Sequence, residues 1–118
     1  MDTRTKIVAS EEALRLVSHG ATVVSGYFDP MVAWHAERLA KVKSQVPNGT
    51  KLLVTIAEPT NPILANRARA ELVAALSCVD HVTEASQQLI PSMSLEVEDA
   101  AGHQRLVEHV HRRQQAAN

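Results

Sequence analysis

The chain has 118 residues, of which 45% are apolar, and this is enough for a single domain with a core, which we predict over residues 1–118. A formal net charge of −1 excludes a strong field toward polyanions, so we predict neither a nucleic-acid nor a membrane partner. Cys78 is the only cysteine, so an internal disulfide is excluded. Because there is also no apolar run of roughly 18 residues, the sequence favours a cytoplasmic protein.

The first half of the chain predicts a helix, a strand and a second helix. Glutamates in its first turn favour a helix at about 11–19, which Ser10 caps and Gly20 ends. The short β-branched run at 21–25 is typical of a buried parallel strand. Helical spacing then resumes over about 32–45.

The second half repeats the alternation. We predict a central strand at 51–57, a helix at 64–77 and a short strand at 79–83. Alternating apolar residues at 93–98 favour a half-buried edge strand, and a last helix is predicted at about 100–114.

Apolar residues recur at helical spacing in two of these helices. In the second helix, Val32, Ala36, Leu39 and Val46 lie on roughly one face. In the third helix, the repeating residues are Leu64, Ala68, Leu72, Ala75 and Leu76.

This order of elements predicts an α/β fold, a three-layer α/β/α Rossmann-like sandwich with a mostly parallel sheet. Ligands of such folds lie beyond the carboxyl ends of the strands, where the strand order reverses. The turn after the first strand contains Gly26, whose backbone freedom allows a tight corner before the second helix. A strand that runs through such a turn into a helix N-terminus predicts an anion site.

The stretch 23–39 matches part of a motif of glycine, any residue, Phe-Asp, two residues and His-x-Gly-His. Four positions match it, namely Gly26, Phe28, Asp29 and His35. In this respect the chain resembles the cytidylyltransferase-like nucleotidyltransferases, a group that includes glycerol-3-phosphate cytidylyltransferase and the adenylyltransferase domain of ADP-heptose synthase. Val32 replaces the first histidine of the motif and Trp34 replaces its glycine.

A second block resembles the same family. An arginine that opens a helix, followed by Val-Asp and a strand, matches Arg69 and Asp80. The resemblance covers residues 6–84. The lysine loop of the family is absent from 58–66, and Glu98-Asp99 stand where it has serines and threonines.

The resemblance implies roles for individual residues. His35 would donate to a phosphate as the catalytic group, and its alternative is a surface or capping histidine. The nucleotide and its phosphates would be bound by Gly26, Tyr27, Phe28, Asp29, Trp34 and Arg69. Trp34 would fill the space of the base or ribose, and its alternative is to stack on a base. Asp29 holds the turn, and the alternative for Arg69 is a solvated side chain.

The departures from the motif decide the functional hypothesis. We predict a nucleotidyltransferase homologue with weak or no transfer and residual binding of CTP or ATP, with magnesium present only as the nucleotide's ion. The alternative is a non-catalytic binding or regulatory module that acts through a homodimer or partner interface. A third hypothesis is an enzyme with altered chemistry at His35 and Arg69. The six histidines lack zinc-ligand spacing, so no metal site is predicted.

Overall fold

A computed structural model describes residues 2–84, 88–96 and 98–99 of the chain. Helices and strands alternate along it. The helices are α1 (Ser10–Ser18), α2 (Ala33–Gln45) and α3 (Asn66–Ala74), and the strands are β1 (Thr22–Gly26), β2 (Leu52–Ile56), β3 (His81–Glu84) and β4 (Met93–Ser94). A 3-10 turn, Thr3–Lys6, precedes α1.

The four strands form one sheet in the order β3-β2-β1-β4, and every neighbouring pair is parallel. The predicted inner position of β1 is therefore confirmed. The chain moves outward from β1 to β3 and then returns to the other side of β1, so the strand order reverses between β1 and β4. The carboxyl ends of these two strands form the switch point at which such folds bind ligands.

Helices cover both faces of the sheet, because alternate residues of each strand point to opposite sides. On one face, Val24 and Val54 pack in a core with Leu39 of α2 and Val73 of α3. On the other face, Val23 and Leu53 pack against Ala13 of α1. The chain thus forms a small three-layer α/β/α sandwich of the Rossmann-like kind, as predicted.

The faces that two helices bury coincide only in part with the apolar residues that recur along them. α2 buries His35, Leu39 and Val42, whereas Val32 is 42% exposed. α3 buries Arg69, Ala70, Val73 and Ala74, whereas Leu72 is 40% exposed. Both helices carry apolar residues on more than one side, so spacing alone did not identify the side that faces the sheet.

Several boundaries differ from their predictions. Ala9, not Ser10, is the N-cap of α1, without a side-chain cap, whereas Gly20 ends this helix in a left-handed conformation as predicted. α3 is shorter than 64–77, and β4 pairs over two residues because the backbone turns helical at Glu96. The predicted helix at 100–114 lies outside the described residues.

Asp80, which matches the second family block, fastens the opposite end of the sheet. Its carboxylate accepts hydrogen bonds from the Leu52 N–H at 2.8 Å and from Lys43 Nζ at 2.6 Å. Burial opposes the charge of Asp80, but these two bonds outweigh it and lower the pKa of the carboxyl. The contacts join the start of β2 to α2 and explain an aspartate at this position.

Within the described part of the chain, none of the helices combines the length and apolar character that crossing a membrane would require.

Candidate functional site

The site lies at the switch point, where the turn after β1 meets the segment after β4. Two backbone hydrogen bonds hold Asp99 near β1: its N–H donates to Leu95 O, and the Leu95 N–H donates to Ser25 O of β1. This path carries the Asp99 side chain to the backbone of Tyr27 and Phe28. Its carboxylate is almost fully buried there, with 3% of the residue exposed.

The Asp99 carboxylate is held by three donors. Its Oδ2 accepts from the Tyr27 N–H at 2.6 Å and from the Phe28 N–H at 2.9 Å. Its Oδ1 accepts from Nε2 of His35 at 2.7 Å. Successive backbone N–H groups that converge in this way form an anion-binding concavity. We call these three donors the oxyanion cradle.

His35 is oriented by a second hydrogen bond. Its ring atom Nδ1 accepts from the Val32 backbone N–H at 2.9 Å, and the backbone N–H of His35 donates to Val32 O at 3.0 Å. Because Nδ1 accepts, the hydrogen-bond pattern assigns the ring proton to Nε2, which donates to Asp99. His35 caps α2, as one alternative predicted, but it is buried rather than at the surface.

The corner turns at Phe28 rather than at Gly26. Phe28 has a φ of 50°, in the left-handed region, whereas Gly26 lies outside that region, so the predicted role of its backbone freedom is wrong. Gly26 is instead required by close packing. A Cβ at this position would lie 2.8 Å from the Phe28 ring and 3.1 Å from Asp99 Oδ2. The glycine therefore lets the ring and the carboxylate approach the strand.

The indole of Trp34 lies directly on the site. It stacks on the His35 ring with centroids 4.0 Å apart and planes 25° apart, and the Phe28 ring lies 5.0 Å from the same imidazole. Trp34 is partly buried against the core. Its stacking partner in the structure is thus the chain's own histidine, and its predicted contact with a base stays a prediction.

Asp29 joins this corner to the loop after β2. Its two carboxylate oxygens accept from the Ile63 N–H at 2.6 Å and from the Leu64 N–H at 2.7 Å. The residue is 2% exposed. Its role is to hold together two loops at the carboxyl edge of the sheet, which extends the predicted role of holding the turn.

Arg69 is completely buried, so the alternative of a solvated arginine is wrong. Its guanidinium donates to the backbone carbonyls of Leu64 at 3.1 Å, Tyr27 at 3.2 Å and Ala57 at 2.8 Å, and also to the Glu58 carboxylate. Arg69 thereby ties α3 to the chain that follows β1 and β2. A phosphate contact by Arg69 stays a prediction.

The charge of Arg69 is balanced by Glu58, whose side chain is half exposed. The hydrogen bond from the Asn66 amide and, after it, that from the Arg69 guanidinium hold the pKa of Glu58 below its usual value. The carboxylate stays ionised near neutral pH, so a compensated ion pair supports the rim of the site.

The structure thus brings the predicted site residues to one corner. The donors of Tyr27, Phe28 and His35 form the cradle, and Gly26 and Trp34 lie against it. Asp29 and Arg69 fasten the corner from the side of β2. Sequence reasoning missed Asp99 as an internal ligand, although it noted acids where the family has serines and threonines. Among the described residues, no three His, Cys, Asp or Glu side chains are placed to hold a metal ion.

A scan against models of known protein families found no match to this chain. A search of curated proteins likewise found no significant match.

Proposed function

We propose that the protein is a nucleotidyltransferase-like domain that has lost nucleotidyl transfer and acts as a binding module. One observation carries the proposal. The buried Asp99 carboxylate accepts hydrogen bonds from the backbone N–H groups of Tyr27 and Phe28 and from the His35 imidazole. These are the donors that a phosphate would need. Transfer depends on donors aimed at the charge that grows on the α-phosphate, and here a carboxylate already uses them.

Two further features support a non-catalytic role. Val32 and Trp34 stand where the family motif has a histidine and a glycine, so one donor is missing and an indole stacks over the other. The side chains of Val32, which is 42% exposed, and Ile63, which is 45% exposed, can donate no hydrogen bond to a triphosphate. The homodimer and the cytoplasmic location remain part of the proposal.

The test is a pair of measurements on the full chain. Mixed with CTP or ATP, magnesium and a panel of phosphate-bearing acceptors, the protein is expected to release no pyrophosphate above background. Titrated with the same nucleotides to about 1 mM, it is expected to give no saturable change in Trp34 fluorescence, because Asp99 already occupies the donors. A Kd above about 1 mM corresponds to less than about 4 kcal/mol of binding. Pyrophosphate release that His35→Ala abolishes would overturn the proposal.

A further inference from the structure

We propose that Asp99 is a tethered competitor that fills an oxyanion site, and that the emptied cradle takes a small carboxylate or phosphoryl group from solution. The inference deepens the proposed function and rests on it only for the location of the site. It makes Asp99 a removable ligand rather than a general support of the fold.

The geometry of the cradle matches a free oxyanion. Two amides bind one oxygen and the imidazole binds the other, at 2.6–2.9 Å. Hydrogen bonds to an ionised acceptor are about twice as strong as neutral ones. The donors are supplied by the turn after β1 and by α2, while the acceptor comes from the segment after β4. Removing the acceptor therefore leaves the elements that carry the donors intact.

Because Asp99 belongs to the same chain as the cradle, we expect the wild-type protein not to bind dissolved anions there. A ligand attached to the same chain acts at an effective concentration in the millimolar range or above. A free anion must first displace Asp99, which is buried and holds all three donors. An external oxyanion therefore enters only when Asp99 is absent or has left the cradle.

The experiment replaces the side chain and returns its carboxylate as a solute. Asp99→Ala leaves a space the size of formate, and Asp99→Gly leaves one the size of acetate. The loss of three hydrogen bonds is expected to lower the Tm by on the order of 10 °C. At ten times its Kd, the matching anion should raise the Tm by about 5 °C relative to chloride of equal ionic strength.

Leu39→Ala provides the matched control. Leu39 is buried in α2 one turn after His35, and its truncation destabilises the domain without touching a donor. Anions that stabilise proteins by exclusion from the surface act on this variant too. The proposal requires a saturable gain in the Asp99 variants that Leu39→Ala and the wild type lack. An equal response in Asp99→Ala and Leu39→Ala would overturn it.

The remaining arms keep the result decisive. If Asp99→Ala is unfolded in chloride, recovery of its helical circular dichroism in formate supports the proposal. No gain from formate in Asp99→Ala and none from acetate in Asp99→Gly overturns it. A response to inorganic phosphate as well as formate identifies phosphoryl groups as ligands, and formate alone identifies carboxylates. These outcomes are independent of nucleotide turnover, which is measured on the wild type.

Discussion

Replacing Arg69 by methionine should destabilise the domain by about 3–5 kcal/mol, because it leaves buried acceptors without their donor. Methionine keeps much of the aliphatic volume but donates no hydrogen bond. The carbonyls of Leu64, Tyr27 and Ala57 would all lose a partner. Urea denaturation followed by circular dichroism measures the loss.

Arg67→Met is the control, because it makes the same change two residues away on α3. Arg67 is 56% exposed and forms an i,i+4 pair with Glu71 at 3.4 Å. Exposed pairs of this kind contribute about 0.3–0.5 kcal/mol, so this variant should be close to the wild type. Similar losses for the two variants would contradict the role assigned to Arg69.

Replacing Phe28 by alanine should cost a comparable amount, about 3–5 kcal/mol, because the ring is fully buried. The ring packs under Gly26 and beside the His35 imidazole, so its loss opens a cavity against the oxyanion cradle. The free energy of unfolding, from the same urea titration, checks this value.

Tyr27→Ala is the neighbouring control. Tyr27 contributes backbone groups to the site, an N–H to Asp99 and a carbonyl to Arg69, and both remain in the variant. Its residue is only partly buried, so a loss of about 1 kcal/mol is expected, near the centre of measured values for point mutants. A loss for Tyr27→Ala as large as that for Phe28→Ala would contradict the assignment of the corner's stability to the Phe28 ring.

The order of strands and helices followed from local patterns. The runs at 21–25 and 51–57 are rich in apolar, mostly branched residues, and this is typical of strands covered on both faces. Gly20 marked the end of α1 because a left-handed residue is common there. These features depend on neighbours in the sequence, so the pattern is sufficient to predict them.

The contacts within the site depend on distant partners instead. Arg69 is 42 residues from the Tyr27 carbonyl, and Asp99 is 64 residues from His35. A charged residue on its own predicts a solvated side chain, and only the tertiary partner makes its burial favourable. The sequence pattern therefore indicated where Arg69 and Asp99 lie along the chain, but it did not predict that they are buried.

The corner glycine illustrates the same difference. Its presence after a strand predicted a turn with unusual backbone angles, but Phe28 adopts that conformation. Gly26 is small because the Phe28 ring and Asp99 Oδ2 lie against it. The need for a small residue is set by atoms that the fold brings next to the strand. The sequence pattern therefore identified Gly26 as important, but the reason inferred from it was wrong.

The central claim is that the Asp99 carboxylate occupies the oxyanion cradle and accepts a hydrogen bond from His35 Nε2. It is tested most directly by ¹⁵N NMR of the imidazole rings. We predict one tautomer for His35, with the proton on Nε2 and an unprotonated Nδ1 that accepts from Val32. The assignment uses the signal that disappears in His35→Gln. In Asp99→Ala, the Nε2 proton should exchange rapidly with water. A wild-type His35 ring that is protonated on Nδ1, or that averages between tautomers, would contradict the account.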